Sequence, residues 1–374
     1  MPVIARGLEG IIAAETQIGD VRGDIGQLIY RGYDINELAG KVSYEEVVHL
    51  LWHGRLPTQG ELDTLTTALR AERELPQGVI DFITSAPKDA APIDIMRTAV
   101  SMLGCYKTTR DILDTPENKQ IAIKLVSQIG IVAAYFHRAR QGKPLPPVRK
   151  DLSEAAHFLY LMTGEVPTKE AEQTLDVAYV LHAEHGFNAS TFTCRVVAST
   201  LSDMYSAISA GIGALKGPLH GGANEGVIHM LQEIGSLDKV DAFLEDALAQ
   251  KKKIMGIGHR VYKVLDPRAP HLKAMAEKLS AQLGEPKWLQ MSERIATTMR
   301  EKKGLNANVD FYSATVYYSL DIPTDLFTPI FAISRMSGWT AHVLEQLADN
   351  RLFRPLSAYV GPEVGKTVVP IAER

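Results

Sequence analysis

"KGPLHGGANEGVIHMLQEIG", residues 216–235, crowds Gly217, Pro218, Gly221 and Gly222 around His220 and then spaces Val227, Met230, Leu231 and Ile234 at steps of three and four. Dense Gly and Pro mark a chain break, and the spacing after it marks an amphipathic helix. The stretch therefore predicts a tight turn running straight into a helix start, with His220 at the positive end of the dipole. The helical period recurs outward from here. Leu272, Met275, Leu279 and Leu283 repeat it, with Gly284 placed as a C-terminal cap, and Met336, Trp339, Val343 and Leu347 repeat it behind Thr328-Pro329. Period-two alternation is scarce and falls in "IGDVRGDIGQLIYRGYDI", residues 18–35. The expected fold is all-α, mainly helical, with minor β structure at the N-terminus.

A chain of 374 residues exceeds the usual limit of one hydrophobic core, so two domains are expected, interleaved or in tandem. The formal net charge of −4 argues against a dedicated nucleic-acid surface. No run approaches the roughly 20 uninterrupted apolar residues of a membrane span. Cys105 and Cys194 are too few for a disulfide framework and lack zinc spacing, which fits a reducing compartment. The amino-terminal stretch reads as neither a secretory signal nor a transit peptide, so a cytoplasmic protein acting on small molecules is expected. "RQGKPLPPVRKD", residues 140–151, is the most linker-like segment, either an interhelical loop or a domain boundary.

Several segments carry candidate chemistry. A helix start disfavours protonation of His220, leaving a neutral donor for an oxygen that gains negative charge, although such a histidine can also simply satisfy a turn. In "LHAEHGFNAS", His182 and His185 lie three apart at a predicted helix C-terminus, where the carbonyl end of the dipole favours a charged ring; a metal pair is the rival reading. "GIGHRVYKVLDPRAPHL" gathers His259, Arg260, Lys263, Arg268 and His271 about a Gly-x-Gly turn without completing a dinucleotide fingerprint or a P-loop, leaving a cationic loop suited to phosphates and carboxylates or a solvated basic surface. The lysines before it, 251–253, read equally as a solvated helix end. Asp310 sits among apolar residues that would raise its pKa, at a helix start that would lower it. Arg335 lies on an apolar helix and Arg354 precedes Pro355; each is a structural ion pair or a grip on a carboxylate.

In this order and spacing, "HAEHGFNASTFT", "GPLHGGANE", "GIGHRVYKVLDPR", "NVDFYS", "FTPIFAISRMSGW" and "NRLFRP" resemble the citrate synthase family in its shorter bacterial and archaeal form. The likeness runs from "GLEGIIAAET" to "YVGP". It implies a two-domain helical fold in which residues 1–221 and 321–374 form a large domain and 222–320 a small one. It also implies a homodimer, a condensation of acetyl-CoA with oxaloacetate followed by thioester hydrolysis, and no metal or redox cofactor. By that resemblance Asp310 is the base, His220 the donor to the thioester oxygen and His259 the group polarising the oxaloacetate carbonyl. His185, Arg268, Arg335 and, from the partner subunit, Arg354 would hold its carboxylates, and Ile254, Met255, Gly256, Ile257 and Gly258 would form the CoA loop. Gly226 departs from the alanine of relatives, softening the helix start by roughly 1 kcal/mol. The absence of a leading β-rich domain implies a dimer without NADH regulation. The nearest alternative is 2-methylcitrate synthase, using propionyl-CoA; a zinc hydrolase built on His182, His185 and His220, or a non-catalytic CoA binder, are rivals from other classes.

Overall fold

The computed structural model describes residues 4–106, 112, 113 and 115–374; Met1, Pro2 and Val3 of the amino-terminal stretch lie outside it. Sixteen α-helices and one small antiparallel sheet make up the described residues, as the scarcity of alternation predicts. The sheet orders β1 (Gly19–Arg22), β2 (Gln27–Tyr30) and β3 (Tyr33–Asp34) as a meander, with Asp20 opposite Ile29 and Tyr30 opposite Tyr33. It falls within the stretch that alternates in sequence.

The molecule is organised on the 22-residue helix Phe327–Ala348, which packs against Tyr44–His53, Thr115–Arg140, Lys169–His182, Ala189–Ser199 and Met204–Leu215. Helical periodicity understates this element. Ser334, Arg335, Ser337, Thr340 and His342 are buried along with its apolar residues, so the helix is enclosed on all sides from Phe327 to Val343. Helix Thr115–Arg140 is long and apolar enough to cross a membrane by length and composition, yet it is a core helix, with 78% of its apolar window buried. The linker-like segment after it is an interhelical loop, tied back by Arg138 donating to the carbonyl of Pro144 at 3.0 Å.

A second group of helices packs mainly on itself: Ala223–Ile234 and Ala269–Leu283 on Val309–Ser319, and Val240–Ala249 on Lys287–Lys303. Helix Ala223–Ile234 begins where the glycine-rich turn ends, and Val227, Met230, Leu231 and Ile234 are its buried face. Helix Ala269–Leu283 ends at Gly284 in the left-handed conformation as expected, although Leu283 is exposed.

The β1–β2 turn meets the cationic loop that precedes helix Ala269–Leu283. The Lys263 amide donates to the Gly23 carbonyl at 3.0 Å, and a Cβ on Gly23 would lie 2.2 Å from the Val261 carbonyl oxygen. Glycine is thus required at 23 by backbone proximity. Farther along, His271 pairs with Asn36 at 2.8 Å, and Lys278 and Gln282 both reach Glu170. Because backbone cannot yield as a side-chain tip does, Gly23→Ala is expected to cost about 1–3 kcal/mol, read as a lower midpoint in thermal unfolding. A variant as stable as the parent would show that turn and loop do not touch in solution.

Candidate active site

A cavity of about 960 Å³ lies where these elements meet, and His185, His220, Gly258, His259, Arg268, Asp310 and Arg335 all line it. Residues 220 and 310, drawn from segments ninety positions apart, therefore open on the same space. Of the remaining predicted residues, Ile254, Met255, Gly256 and Ile257 stand behind Gly258, and Arg354 lies on an exposed extended segment and does not line the cavity of its own chain.

Buried hydrogen bonds set the histidines' proton positions. His220 Nε2 accepts from the Ser190 amide at 3.3 Å and lies 2.8 Å from Ser190 Oγ, which accepts from Trp339 Nε1 at 3.1 Å and shares its one proton between Nε2 and Asn188 Oδ1, 2.8 Å away. An amide N–H needs a lone pair, so the neutral ring carries its proton on Nδ1. His259 is the opposite case: its Nδ1 accepts from the amides of Val261 at 3.0 Å and Tyr262 at 3.1 Å, leaving Nε2–H. Burial, reinforced by Arg335 for His220 and by Arg268 for His259, lowers both pKa values to about 4. His220 is thus neutral as predicted, but through desolvation and a neighbouring cation rather than through the helix dipole alone.

His182 and His185 correct the sequence reading. Helix Lys169–His182 does end there, yet both rings are uncharged: burial first, then Arg268, pushes His182 down to about 3 and His185 well below its usual value, with Arg335 adding to both. A dipole effect of at most about 2 kcal/mol is outweighed by desolvation beside two guanidinium groups. His182 Nδ1 donates to the Ala178 carbonyl at 2.8 Å and its ring packs on Phe331, so it is a core histidine. His185 Nε2 pairs with the Tyr262 hydroxyl at 3.1 Å, and its ring stands 5.5 Å from that of His259. Among the described residues no three His, Cys, Asp or Glu side chains form a metal-holding group, so the zinc reading finds no ligand set there.

The two arginines differ. Arg268 is forked onto Asp266 through Nε at 2.9 Å and Nη2 at 2.8 Å, and Asp266 also accepts from the Val309 amide at 3.1 Å. Against the opposing effect of burial, the Asp266 charge raises the Arg268 pKa and Arg268 lowers that of Asp266. Arg335 is only half satisfied. Its Nε donates to the His182 carbonyl at 2.6 Å and its guanidinium lies 4.8 Å from the Phe331 ring centre, but Nη1 and Nη2 are buried without a partner. Burial, opposed by Glu184 and Tyr30, lowers its pKa to about 10. A charged fork left open in a cavity is complementary to a carboxylate.

Asp310 occupies the first turn of helix Val309–Ser319, whose N-cap Asn308 accepts from the Asp310 amide at 3.0 Å. The two opposing influences left open by the sequence resolve toward burial: desolvation first raises its pKa to about 6, Asp266 adds to that, and Arg268, Arg335 and Lys253 oppose it. Its Oδ1 is buried without a partner.

The 254–258 turn is pinned by a short ladder. Gly258 N donates to Asn306 O at 2.7 Å, Asn308 N to Gly256 O at 2.9 Å, and Asn308 Nδ2 to Gly258 O at 2.8 Å. Gly256 has φ of 73°, and a Cβ there would fall 2.7 Å from Val227 and 2.8 Å from the Phe311 ring, so glycine is required twice over. A Cβ at Gly226 would meet the Met255 side chain along its length, at 2.7 Å from Cε and 3.2 Å from Cγ. The lysine run is exposed, and of the three only Lys253 borders the cavity. Sequence reasoning missed Asp266, Ser190, Asn188 and Tyr262. The adjacency "DPR" was the one available signal for Asp266; the Ser190 bridge spans thirty residues and left none.

Neutral imidazoles of fixed tautomer, a carboxyl near neutrality and an open buried guanidinium define an enzyme that grips a small anion and moves protons without charging its rings. The family model for the C-terminal domain of citrate synthase matches residues 7–356. Citrate synthase 2 of Bacillus subtilis is 48% identical over 371 residues, covering 99% of both chains, and 2-methylcitrate synthase of Shewanella oneidensis is 43% identical, covering 98% of this chain and 97% of that one. The ternary complex of carboxymethyl coenzyme A and oxaloacetate with citrate synthase from Thermoplasma acidophilum superposes with a TM-score of 0.95 at 33% identity, covering 100% of both chains. The chain belongs to the citrate synthase family.

The Ser190 bridge makes a spectroscopic prediction. In protein labelled with 15N at histidine, His220 is expected to show a neutral ring protonated at Nδ1 throughout pH 5.5–8, and Ser190→Ala to loosen that tautomer preference. An imidazolium signal for His220 at pH 6 would contradict the assignment.

Proposed function

We propose that the chain joins the methyl carbon of acetyl-CoA to the keto carbon of oxaloacetate and hydrolyses the resulting thioester to citrate and CoA. The observation that carries this is Asp310, held near neutrality in the same cavity as two imidazoles of opposite tautomer. A thioester methyl is a very weak acid, so a carboxylate removes its proton only if the enol oxygen is stabilised at the same moment. Asp310 takes the proton while the Nδ1–H of His220 donates to the thioester oxygen. The Nε2–H of His259 polarises the keto oxygen of oxaloacetate and stabilises the alkoxide formed as the new carbon–carbon bond closes. Water then attacks the thioester carbonyl and CoA leaves as the thiol.

Arg335 closes its open fork on one carboxylate of oxaloacetate, with Arg268 and His185 beside it. Fixing the dianion replaces a bimolecular encounter by an oriented one, an effect of several kcal/mol. The 254–258 turn carries the adenine end of CoA, and Lys253 stands at the rim for phosphate. The reaction needs no metal or redox cofactor, because the charge that develops is met by fixed N–H groups. Residues 222–320 serve as the small domain that closes on a large domain formed by 1–221 and 321–374, in keeping with the two helix groups and the bridges from Gly23, Asn36 and Glu170.

The chain acts as a cytoplasmic homodimer in which Arg354 completes the partner's site. Supporting this, residues from Leu352 onward leave the body as an exposed extended arm carrying Leu356, Val360, Val364 and Val368, apolar side chains that need a covering surface. The arm departs beside the cavity wall, where the Phe353 ring stands 5.4 Å from that of Phe192. Cys105 and Cys194 are both free thiols, in keeping with a reducing compartment.

Thiol release from acetyl-CoA is expected to require oxaloacetate and to survive a strong chelator. Asp310→Asn is expected to bind oxaloacetate yet lose turnover by a factor of order 10² or more. Because the base must be ionised while both imidazoles stay neutral, kcat/KM for acetyl-CoA should rise with pH through about 6 as a single limb. Normal turnover by Asp310→Asn would refute the base assignment, and a larger kcat/KM for propionyl-CoA than for acetyl-CoA would make the protein a 2-methylcitrate synthase.

The shared site predicts complementation between subunits. Arg354→Ala and Asp310→Asn chains, each impaired alone, are expected to regain roughly a quarter of parental activity when unfolded and refolded together, since half the dimers are mixed and each mixed dimer holds one intact site. Activity no greater than the mean of the two variants would place Arg354 in its own chain's site or in none.

A further inference from the structure

A second cavity, of about 490 Å³, shares no lining residue with the first. Leu265, Ala269 and Ala307 give it an apolar wall, and Tyr312 opens into it from helix Val309–Ser319. Tyr312 is 6% exposed, and its hydroxyl makes no hydrogen bond among the described residues. The ring is buried, whereas the hydroxyl keeps access to solvent and is free to donate. The charges around it are Lys273, Glu293, Glu277 and Arg300. Lys273 is spent on Glu293 at 2.9 Å and Glu277 at 3.6 Å. Arg300, at the rim, makes no ion pair among the described residues, and the Asn306 side chain beside it is likewise unbonded. The cavity therefore presents a guanidinium without an ion pair, an amide and a phenol over an apolar floor, in a volume typical of small-molecule sites.

Its walls are the backs of the first cavity's walls. Leu265 precedes Asp266, Ala269 follows Arg268, Ala307 pairs with Ile257 and precedes Asn308, and Tyr312 lies two residues after Asp310. Any occupant presses on backbone that directly carries the Asp266–Arg268 fork and the helix start of the base.

We propose that this cavity is an effector site for a small organic anion, an apolar body bearing one carboxylate or phosphate group. The head group meets Arg300, the body lies on Leu265, Ala269 and Ala307, and Tyr312 donates its hydroxyl to the ligand. Occupancy alters turnover without competing with either substrate. The kinetic half of this inference rests on the proposed function; the binding half stands without it.

The test uses the full chain and two probes that share a body and differ in head group, phenylacetate and phenyl phosphate, titrated calorimetrically without substrates. At least one is expected to bind with one site per chain. Arg300→Gln and Tyr312→Phe should each fold and turn over as the parent does, and Arg300→Gln should weaken that binding by about tenfold or more. Which probe binds identifies the head group. In assays of thiol release the same probe is expected to change kcat saturably, with a midpoint matching the calorimetric one. Failure of both probes to bind at millimolar concentration would overturn the proposal, as would binding unaffected by Arg300→Gln or displaced by oxaloacetate. Binding that leaves kcat unchanged would overturn the effector role. A chain that binds a probe through Arg300 but releases no thiol would instead sink the proposed function and leave the cavity assignment standing.

Discussion

One buried carboxylate holds the site in shape. Asp266 accepts from the Arg268 backbone and from two nitrogens of its guanidinium, and its remaining capacity goes to the Val309 amide. That last bond joins the loop bearing His259 to the helix bearing Asp310. Local sequence does not link them; that bond does, together with the ladder between Gly256 and Gly258 and Asn306 and Asn308. Burying two such charges is costly, and removing one partner of a buried pair typically costs about 3–5 kcal/mol, so the arrangement persists only because each lone pair and each donor of the carboxylate's shell is used. The same negative charge lies close enough to Asp310 to help keep that acid from ionising early. A structural pair thus also sets a chemical property of its neighbour.

The remaining electrostatics follow one rule, that desolvation near fixed cations decides protonation. Four histidines, 182, 185, 220 and 259, all sit below the ordinary imidazole range, and in each burial is the largest cause. Charge in the cavity is therefore carried by guanidinium groups and carboxyl groups and not by the imidazoles. Donors at His220 and His259 are fixed by the protein's own hydrogen bonds, the preorganisation that stabilises a developing negative charge without solvent rearrangement.

Much of this was legible in the chain. Glycine spacing located the turn at 216–222 and the helix after it, because turn chemistry and the 3.6-residue period are local properties. The family motifs marked His220, His259, Asp310, Arg268 and Arg335 before any fold was known, and all five open on one cavity. What stayed hidden was non-local. The tautomer of His220 depends on Ser190, thirty residues away, and the charge of His185 on Arg268 and Arg335, which lie far along the chain. Dipole reasoning predicted a charged His185 since it used only the helix the residue follows. The enclosure of helix Phe327–Ala348 on every side as far as Val343, polar residues included, was equally beyond a pattern of four apolar positions.

The unfilled fork of Arg335 has a consequence for the protein as a material. Two buried guanidinium nitrogens without acceptors leave the core unfinished around Arg335, and an anion that accepted from both would finish it. Ligand affinity and fold robustness are then one quantity seen from two sides, linked by mass action. With that anion bound, the same polypeptide would be harder to melt and harder to digest.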